Sequence, residues 1–259
     1  MSADVRRIIA IGGGEIGRPK EDGNGHYPDE MIAIDTEILR LTDKKSASLL
    51  FIPTASNDSL QYFDTVKAHF QKIGFATVEV LLLSDASLTH NQIKESILSH
   101  DAIYVGGGNT KKMMAVWREL GVDSMLKQAL DQGVVLSGIS AGSICWFVEG
   151  VTDSEASAED TQNPIPVTGL GFIDAVHCPH YDVESHRHLE VKKSIEHSDK
   201  VAICLDNCAA IEIIGDEYRV LKSKSSAKGY KAYWKDGSYF VEDVETSDTF
   251  KKLYSLLAK

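Results

Sequence analysis

One short stretch of the chain has the residue types and spacing of a serine nucleophile. The run GISAG at residues 138–142 follows VVL at residues 134–136, an apolar segment that predicts a buried strand. Apolar residues at 144–147 predict the start of a helix after it. A strand, a G-x-S-x-G turn and a helix in this order form the context of a nucleophile elbow. Ser140 is therefore a candidate nucleophile, with an incidental serine in a glycine-rich turn as the alternative.

The elements around Ser140 would also suit the chemistry. Glycines are needed at such a turn because a Cβ there would collide with neighbouring backbone. The helix that begins after the turn would direct free N–H groups and its positive dipole end toward developing negative charge. This pattern predicts that the turn both exposes the hydroxyl and helps to stabilise an anion beside it.

A serine nucleophile needs a general base, and histidine is the usual one. The chain has nine histidines, and His180 is the best placed because it follows Pro179 at the end of a predicted strand. His177 lies inside that strand, so we expect it to be packed. Position alone does not decide the assignment, since a lone histidine is more often structural.

Two glycine runs follow predicted strands. Residues 12, 14 and 17 fit the G-x-G-x-x-G spacing of a dinucleotide site, but polar residues follow them where that site needs a helix. We therefore interpret GGG at residues 12–14 as a turn that lines a cleft. The second run is GGGNT at residues 106–110, where Asn109 is a candidate to hydrogen-bond substrate or to cap the following helix.

Arg187 is the candidate binding residue in the helix predicted after His180. An arginine there could pair with a substrate carboxylate through two parallel hydrogen bonds. The alternative is an arginine on the solvated face of that helix.

The order of the elements predicts an α/β fold with a doubly wound, mostly parallel sheet and a C-terminal β meander. Ligands of such sheets bind beyond the carboxyl ends of the strands, so we expect the GGGNT turn and Ser140 on the same rim. The predicted strands cover residues 7–12, 47–53, 77–83, 101–105, 134–136, 171–177, 201–205, 209–214, 217–221, 231–234 and 238–241, and the predicted helices cover 28–41, 60–73, 90–98, 113–120, 122–130, 184–195 and 246–257. We find no internal linker and predict one domain over residues 1–259.

Composition narrows the class of protein. A formal net charge of −11 disfavours a nucleic-acid partner, because phosphate binding depends on basic surface. No apolar run is long enough for a membrane span or a signal peptide, so we expect a cytoplasmic protein without a membrane partner. The four cysteines have no C-x-x-C spacing, and we favour buried thiols over a metal site with His177 and His180. We expect no cofactor or metal; a homodimer is compatible with the sequence, which does not fix the oligomeric state.

Several motifs together resemble the peptidase E and cyanophycinase family of serine peptidases. They cover most of the chain: FIPTAS at 51–56, GGGNT at 106–110, GISAGS at 138–143, PHY at 179–181 and LDNCAAIEI at 205–213. The resemblance implies a flavodoxin-like, three-layer fold similar to class I glutamine amidotransferase domains, with serine in place of their cysteine.

The resemblance also implies roles for individual residues. Ser140 would be the nucleophile, His180 the base, and the backbone N–H groups of Ala141 and Gly107 the oxyanion hole. Relatives act on Asp-X dipeptides or on β-aspartyl-arginine links, which implies a small, charged peptide as the substrate.

The third member of the triad is where the chain departs from the family pattern. Family members often have a glutamate in the segment that matches residues 205–210, and the closest alignment puts Asn207 there, with Asp206 one residue away. Another acid proposed in the family lies roughly fifteen residues after the serine, where this chain has Asp153 and Glu155. A neutral asparagine can orient an imidazole, but it stabilises the imidazolium less than a carboxylate does. These four candidates stay open.

Three functions follow from this reading. The first is a serine exopeptidase or dipeptidase that works through an acyl-enzyme. The second is an amide hydrolase similar to glutamine amidotransferases, against which the absence of the elbow cysteine counts. The third is a non-catalytic ligand-binding module that retains the elbow geometry.

Overall fold

A computed structural model of the chain describes residues 5–152, 166–183 and 186–259. The first half alternates strands and helices, as the sequence predicts. Its elements are β1 (Arg7–Ile11), α1 (Ile32–Thr42), β2 (Ser48–Ile52), a 3₁₀ turn (Thr54–Ser56), α2 (Leu60–Ile73), β3 (Thr77–Val80), α3 (His90–Ser99), β4 (Ala102–Val105), α4 (Thr110–Leu120), α5 (Val122–Asp131), β5 (Val135–Ile139) and α6 (Ala141–Ile144).

The second half is richer in strands. Its elements are β6 (Phe147–Gly150), β7 (Val167–Thr168), β8 (Ile173–Cys178), α7 (His186–Ser194), β9 (Ala202–Leu205), β10 (Ala209–Ile214), β11 (Glu217–Lys222), β12 (Gly229–Lys235), β13 (Ser238–Val244), β14 (Lys251–Lys252) and α8 (Leu253–Leu257).

The main sheet has the strand order β14-β11-β10-β1-β5-β4-β2-β3. The strands from β1 to β3 in this order are parallel, whereas β10, β11 and β14 pair antiparallel. All residues of β4 and β5 are buried, as expected for central strands of a parallel sheet covered by helices. The α/β fold class with a mostly parallel sheet and C-terminal antiparallel strands is therefore confirmed.

A smaller sheet with the order β13-β12-β9-β8-β6-β7 stands beside the main one. The sequence predicts a meander at the C-terminus but not that its strands divide between two sheets. The division occurs at residues 206–208, because β9 pairs with β8 and β12 in the smaller sheet and β10 pairs with β1 in the main sheet. The short segment at 206–208 thus crosses from one sheet to the other.

Some predicted element boundaries are wrong. The helix after Ser140 is a single turn, since Trp146 and Phe147 are fully buried and Phe147 already pairs with Ile173 in the smaller sheet. The C-terminal helix is limited to α8, because residues 251–252 pair with β11 instead of coiling.

The apolar core lies around the main sheet, with a second cluster behind the smaller one. All four cysteines are buried and free, as predicted. Across residues 5–152, 166–183 and 186–259, no helix is long and apolar enough to cross a membrane.

Candidate active site

Ser140 lies at the sharp turn between β5 and α6. Its backbone has φ 58° and ψ −116°, a conformation that costs a residue with a Cβ about 1–3 kcal/mol. The turn is held on both sides, since the Ser140 amide donates to the Ile11 carbonyl at 3.0 Å and the Ser140 carbonyl accepts from the Ile144 amide at 3.1 Å. The surrounding backbone therefore fixes Ser140 in a strained conformation, as a nucleophile elbow requires.

The glycines on either side of Ser140 are sterically necessary. A Cβ on Gly138 would overlap the Gly142 carbonyl, and a Cβ on Gly142 would overlap the Val105 carbonyl in β4. In both cases the obstacle is backbone, which cannot move aside as a side chain can. The prediction that a Cβ would collide at these positions is confirmed.

His180 lies two residues after β8, in the smaller sheet, and faces Ser140 across the junction of the sheets. Its Nε2 lies 2.8 Å from Ser140 Oγ, and its Nδ1 lies 2.7 Å from Asn207 Oδ1. An amide oxygen can only accept a hydrogen bond, so Nδ1 carries the proton in this arrangement. The lone pair of Nε2 then faces the serine hydroxyl, which is the tautomer that a general base needs.

Asn207 is in the segment that crosses between the sheets. Its backbone amide donates to Asp182 Oδ1 at 2.8 Å, and the next residue, Cys208, has φ 65°. These two features turn the amide side chain of Asn207 toward His180. Of the four candidates for the third position, Asn207 is the one that the structure brings into contact with the imidazole.

The other three candidates lie elsewhere or outside the described residues. The hydrogen bonds of the Asp206 carboxylate run to β12, from the Lys228 amide at 3.0 Å and the Tyr230 hydroxyl at 3.4 Å. Burial raises the pKa of Asp206, with the charge of Asp182 acting in the same direction. Asp206 thus hydrogen-bonds at the start of β12 and does not contact His180 as a third member of the triad would. Asp153 and Glu155 lie outside the described residues.

The first glycine run makes room for the His180–Asn207 pair. A Cβ on Gly13 would overlap Asn207 Oδ1 and lie 2.5 Å from the His180 ring. The expected helix of a dinucleotide site does not follow, because α1 begins only at Ile32. The interpretation of GGG as a turn lining a cleft is confirmed, whereas sequence reasoning missed the specific need for Gly13. The signal available in the sequence is the position of this glycine run at the end of a predicted strand.

Both predicted oxyanion donors are close to Ser140, but their amides face different neighbours. Gly107 packs against it, since a Cβ on Gly107 would lie 3.3 Å from Ser140 Cβ, and its amide points to the Tyr62 hydroxyl at 3.5 Å. Ala141 is the first residue of α6, where a backbone N–H has no intrahelical acceptor. Gly108 lines the cavity that contains Ser140.

A cavity of about 200 Å³ opens beside Ser140 and His180. Arg187 lines it and is only 2% exposed, so the alternative of a solvated helix arginine is wrong. Its Nη1 donates to the Val151 carbonyl at 3.2 Å and lies 4.0 Å from the carboxylate of Glu190. The wall of this cavity therefore contains a buried guanidinium as well as the candidate nucleophile.

Asn109 begins α4 as its N-cap. Its Oδ1 accepts a hydrogen bond from the Lys112 amide at 2.8 Å, so the capping role considered for Asn109 is confirmed. His177 is fully buried, as predicted for a histidine inside the strand. Burial lowers the pKa of His177 to about 3, which keeps the ring neutral at physiological pH. Within the described ranges, no group of three or more histidine, cysteine or acidic side chains is arranged to hold a metal ion.

Comparison with known proteins gives consistent matches. The sequence model of peptidase family S51 matches residues 22–221. The uncharacterized peptidase YgaJ of Bacillus subtilis is 34% identical over 229 residues, which are 88% of this chain and 92% of that protein. The uncharacterized peptidase Lin0382 of Listeria innocua is 29% identical over 142 residues, which are 52% of this chain and 65% of that protein.

Two solved structures share the fold. A peptidase from an acI-B1 Actinobacterium superposes with a TM-score of 0.68 at 15% identity, over 96% of this chain and 98% of that one. A putative peptidase E protein from Listeria monocytogenes has a TM-score of 0.60 at 19% identity, over 84% of this chain and 98% of that one. These likenesses support the same architecture from β1 to the C-terminal strands.

We expect Gly13→Ala to disable the serine while the protein stays folded. The new Cβ would displace the side chains of Asn207 and His180, and a misplacement of about 1 Å can cost 10²-fold in rate. The rate at which a fluorophosphonate labels Ser140 should fall by about that factor. Gly229→Ala is the matched control, because its nearest neighbours are side-chain atoms 3.3 Å away. Labelling of Gly13→Ala at the wild-type rate would contradict the steric argument.

Proposed function

The chain belongs to peptidase family S51 and is a serine-type peptidase, and we propose its substrate and mechanism on this premise. It hydrolyses small peptides with an acidic residue through an acyl-enzyme on Ser140. The observation that carries the proposal is the hydrogen-bonded line from Ser140 through His180 to Asn207, with distances of 2.8 and 2.7 Å. A neutral imidazole held in this tautomer is ready to take the proton of the serine hydroxyl.

The reaction then proceeds in two halves. Ser140 Oγ attacks the scissile carbonyl carbon while its proton passes to His180 Nε2, which forms a tetrahedral oxyanion and an imidazolium. The backbone N–H of Ala141 would donate to the oxyanion, whereas the Gly107 N–H would first have to leave the Tyr62 hydroxyl. His180 returns the proton to the leaving amine as the C–N bond breaks, leaving an ester on Ser140. Water, activated by the same imidazole, hydrolyses the ester and restores the hydroxyl.

Asn207 orients His180 without adding a charge. Its oxygen accepts the Nδ1 proton and so keeps Nε2 free for Ser140. An amide dipole stabilises the imidazolium less than a carboxylate does. The rate should therefore depend on Asn207 mainly through the tautomer and the orientation of the ring.

The cavity beside Ser140 supports the substrate class. At about 200 Å³ it is smaller than the 300–1,000 Å³ typical of ligand pockets, which favours one short side chain over an extended peptide. Arg187 provides a buried positive charge in its wall. An aspartyl side chain fits both its size and its charge, and an isoaspartyl linkage presents a carboxylate of similar reach.

The cytoplasm is the compartment we propose. The four buried free cysteines are consistent with a reducing environment, in which thiols are kept unpaired.

The first experiment compares wild type, Ser140→Ala and His180→Ala on a panel of dipeptides and isoaspartyl peptides. We expect Ser140→Ala to lose on the order of 10⁶ in kcat, as in subtilisin, and His180→Ala nearly as much, while thermal unfolding changes little. Only wild type should react rapidly with a fluorophosphonate. An unlabelled wild type that hydrolyses no peptide would identify a non-catalytic module instead, and retained turnover in Ser140→Ala would exclude Ser140 as the nucleophile.

A second prediction concerns Arg187. Loss of a hydrogen bond to a charged group is worth about 1.5–3 kcal/mol, so Arg187→Gln should lower kcat/KM for acidic peptides by about 10- to 100-fold. Neutral peptides with the same leaving residue should be affected much less. Arg187→Lys keeps the charge but loses the planar fork, so its loss should be intermediate. Equal losses for acidic and neutral peptides would show that Arg187 only supports the fold.

A third prediction tests the neutral third member. Asn207→Asp places a carboxylate oxygen at the same position, so it should retain or raise kcat by stabilising the imidazolium. Asn207→Leu removes the acceptor and should lose about 10² to 10⁴ in kcat, by analogy with replacements of the triad aspartate in serine proteases. Asp206→Asn is the neighbouring control and should change kcat little. A severe loss in Asp206→Asn with a mild one in Asn207→Leu would reverse the assignment.

A further inference from the structure

A second serine–histidine pair lies beneath the first. Ser143 Oγ is 2.8 Å from His177 Nε2, the same separation as that between Ser140 Oγ and His180 Nε2. Ser143 comes three residues after Ser140, and His177 comes three residues before His180. Both pairs therefore connect the elbow to the end of β8, one at the cavity and one in the interior.

The buried pair also has a third member. His177 Nδ1 lies 2.8 Å from the Ile203 carbonyl, just as His180 Nδ1 lies 2.7 Å from Asn207 Oδ1. A carbonyl only accepts, so Nδ1 of the neutral ring carries the proton and Nε2 can only accept. The Ser143 hydroxyl has one proton, and its two acceptors are His177 Nε2 at 2.8 Å and the Ser140 carbonyl at 2.7 Å. Both lines thus run from a serine hydroxyl through a histidine ring to an oxygen acceptor, and the buried serine has the Ser140 carbonyl as a further acceptor.

Each buried group lies on a segment that also carries one member of the proposed triad. Ser143 is in α6 beside Ser140, His177 is in β8 just before His180, and Ile203 is in β9, which leads into Asn207. The His177 ring therefore joins all three segments through two hydrogen bonds. Phe147 stacks on this ring with centroids 4.3 Å apart and planes within 10°, which fixes its orientation.

The junction needs such a connection, because β5 and β8 belong to different sheets and do not pair with each other. The ladder between β6 and β8 shifts register between Phe147 and Glu149, so the pairing nearest the junction is irregular. The His180 amide also donates to the Gly12 carbonyl at 3.2 Å, which ties His180 to the end of β1 in the main sheet.

We propose that Ser143 and His177 are positioning residues that set the distance between Ser140 and His180. This inference rests on the proposed function of Ser140 and His180. Both side chains are completely buried, so they do not touch substrate and act only through the segments they join. The hydrogen bond from the His180 amide to the Gly12 carbonyl remains when the contact between Ser143 and His177 is removed. We therefore expect a partial and not a complete loss of activity.

The test measures fluorophosphonate labelling and steady-state kinetics of Ser143→Ala at a temperature where circular dichroism shows it fully folded. We expect the labelling rate and kcat to fall about tenfold or more, with KM within about twofold of wild type, because geometry at the reacting atoms is what changes. Ser137→Ala is the matched control. Ser137 is also fully buried and donates at 2.7 Å to the Ile103 carbonyl, three residues before Ser140 but without a link to β8. It should keep wild-type rates even if its melting temperature drops.

Two histidine variants make the test independent of whether Ser143→Ala folds. The amide of His177→Gln reaches the position of Nε2 and keeps the connection to Ser143, whereas that of His177→Asn reaches only the position of Nδ1 and keeps the bond to Ile203. We expect His177→Asn to be as slow as Ser143→Ala, His177→Gln to be faster, and the double variant Ser143→Ala/His177→Asn to be no slower than either single one.

The outcomes separate this inference from the proposed function. Labelling and kcat of the Ser143 and His177 variants equal to those of Ser137→Ala would overturn the positioning role. Losses that multiply in the double variant would also overturn it, since the two residues would then act separately. A wild type that is neither labelled nor active would instead overturn the proposed function itself.

Discussion

The constraint on which the site depends is the close approach of two β-sheets at their strand ends. Ser140 is presented by the main sheet, His180 by the smaller sheet, and Asn207 by the segment that crosses between them. Hydrogen bonds of 2.7–2.8 Å across this junction require the backbones to pack without side chains in between. Glycines at 12 and 13 meet that requirement, because a Cβ on Gly12 would overlap the carbonyls of Leu205 and Asp206 and a Cβ on Gly13 would overlap Asn207 Oδ1.

The sequence predicts the main sheet well because its signals are local. Short apolar strands alternate with amphipathic helices, and this alternation specifies parallel pairing through crossover connections. The smaller sheet was not predicted, since periodicity shows that β8, β9 and β12 are strands but not which strands they pair with. The short α6 has the same origin. Trp146 and Phe147 look like the apolar face of a helix, but both are fully buried and the chain enters β6 at Phe147, which pairs with Ile173.

The sequence predicts the site residues that belong to a motif, but not those whose role depends on the orientation of the side chain. Ser140 and His180 follow from the elbow and the strand end, and the structure brings them together. Asp206 and Asn207 are adjacent, yet one hydrogen-bonds to β12 and the other to His180, and the sequence does not record which way each side chain turns. Arg187 is likewise buried in the wall of the cavity, which the pattern of residues in α7 does not predict.

The side-chain amide of Asn207 also determines whether the hydrogen bond to His180 depends on pH. A carboxylate in that place would take up a proton at low pH and so cease to accept the Nδ1 hydrogen bond, which would couple two titrating groups. An asparagine side chain does not ionise, so its oxygen accepts from His180 at every pH at which the fold persists. The orientation of the ring therefore does not depend on the protonation state of its partner.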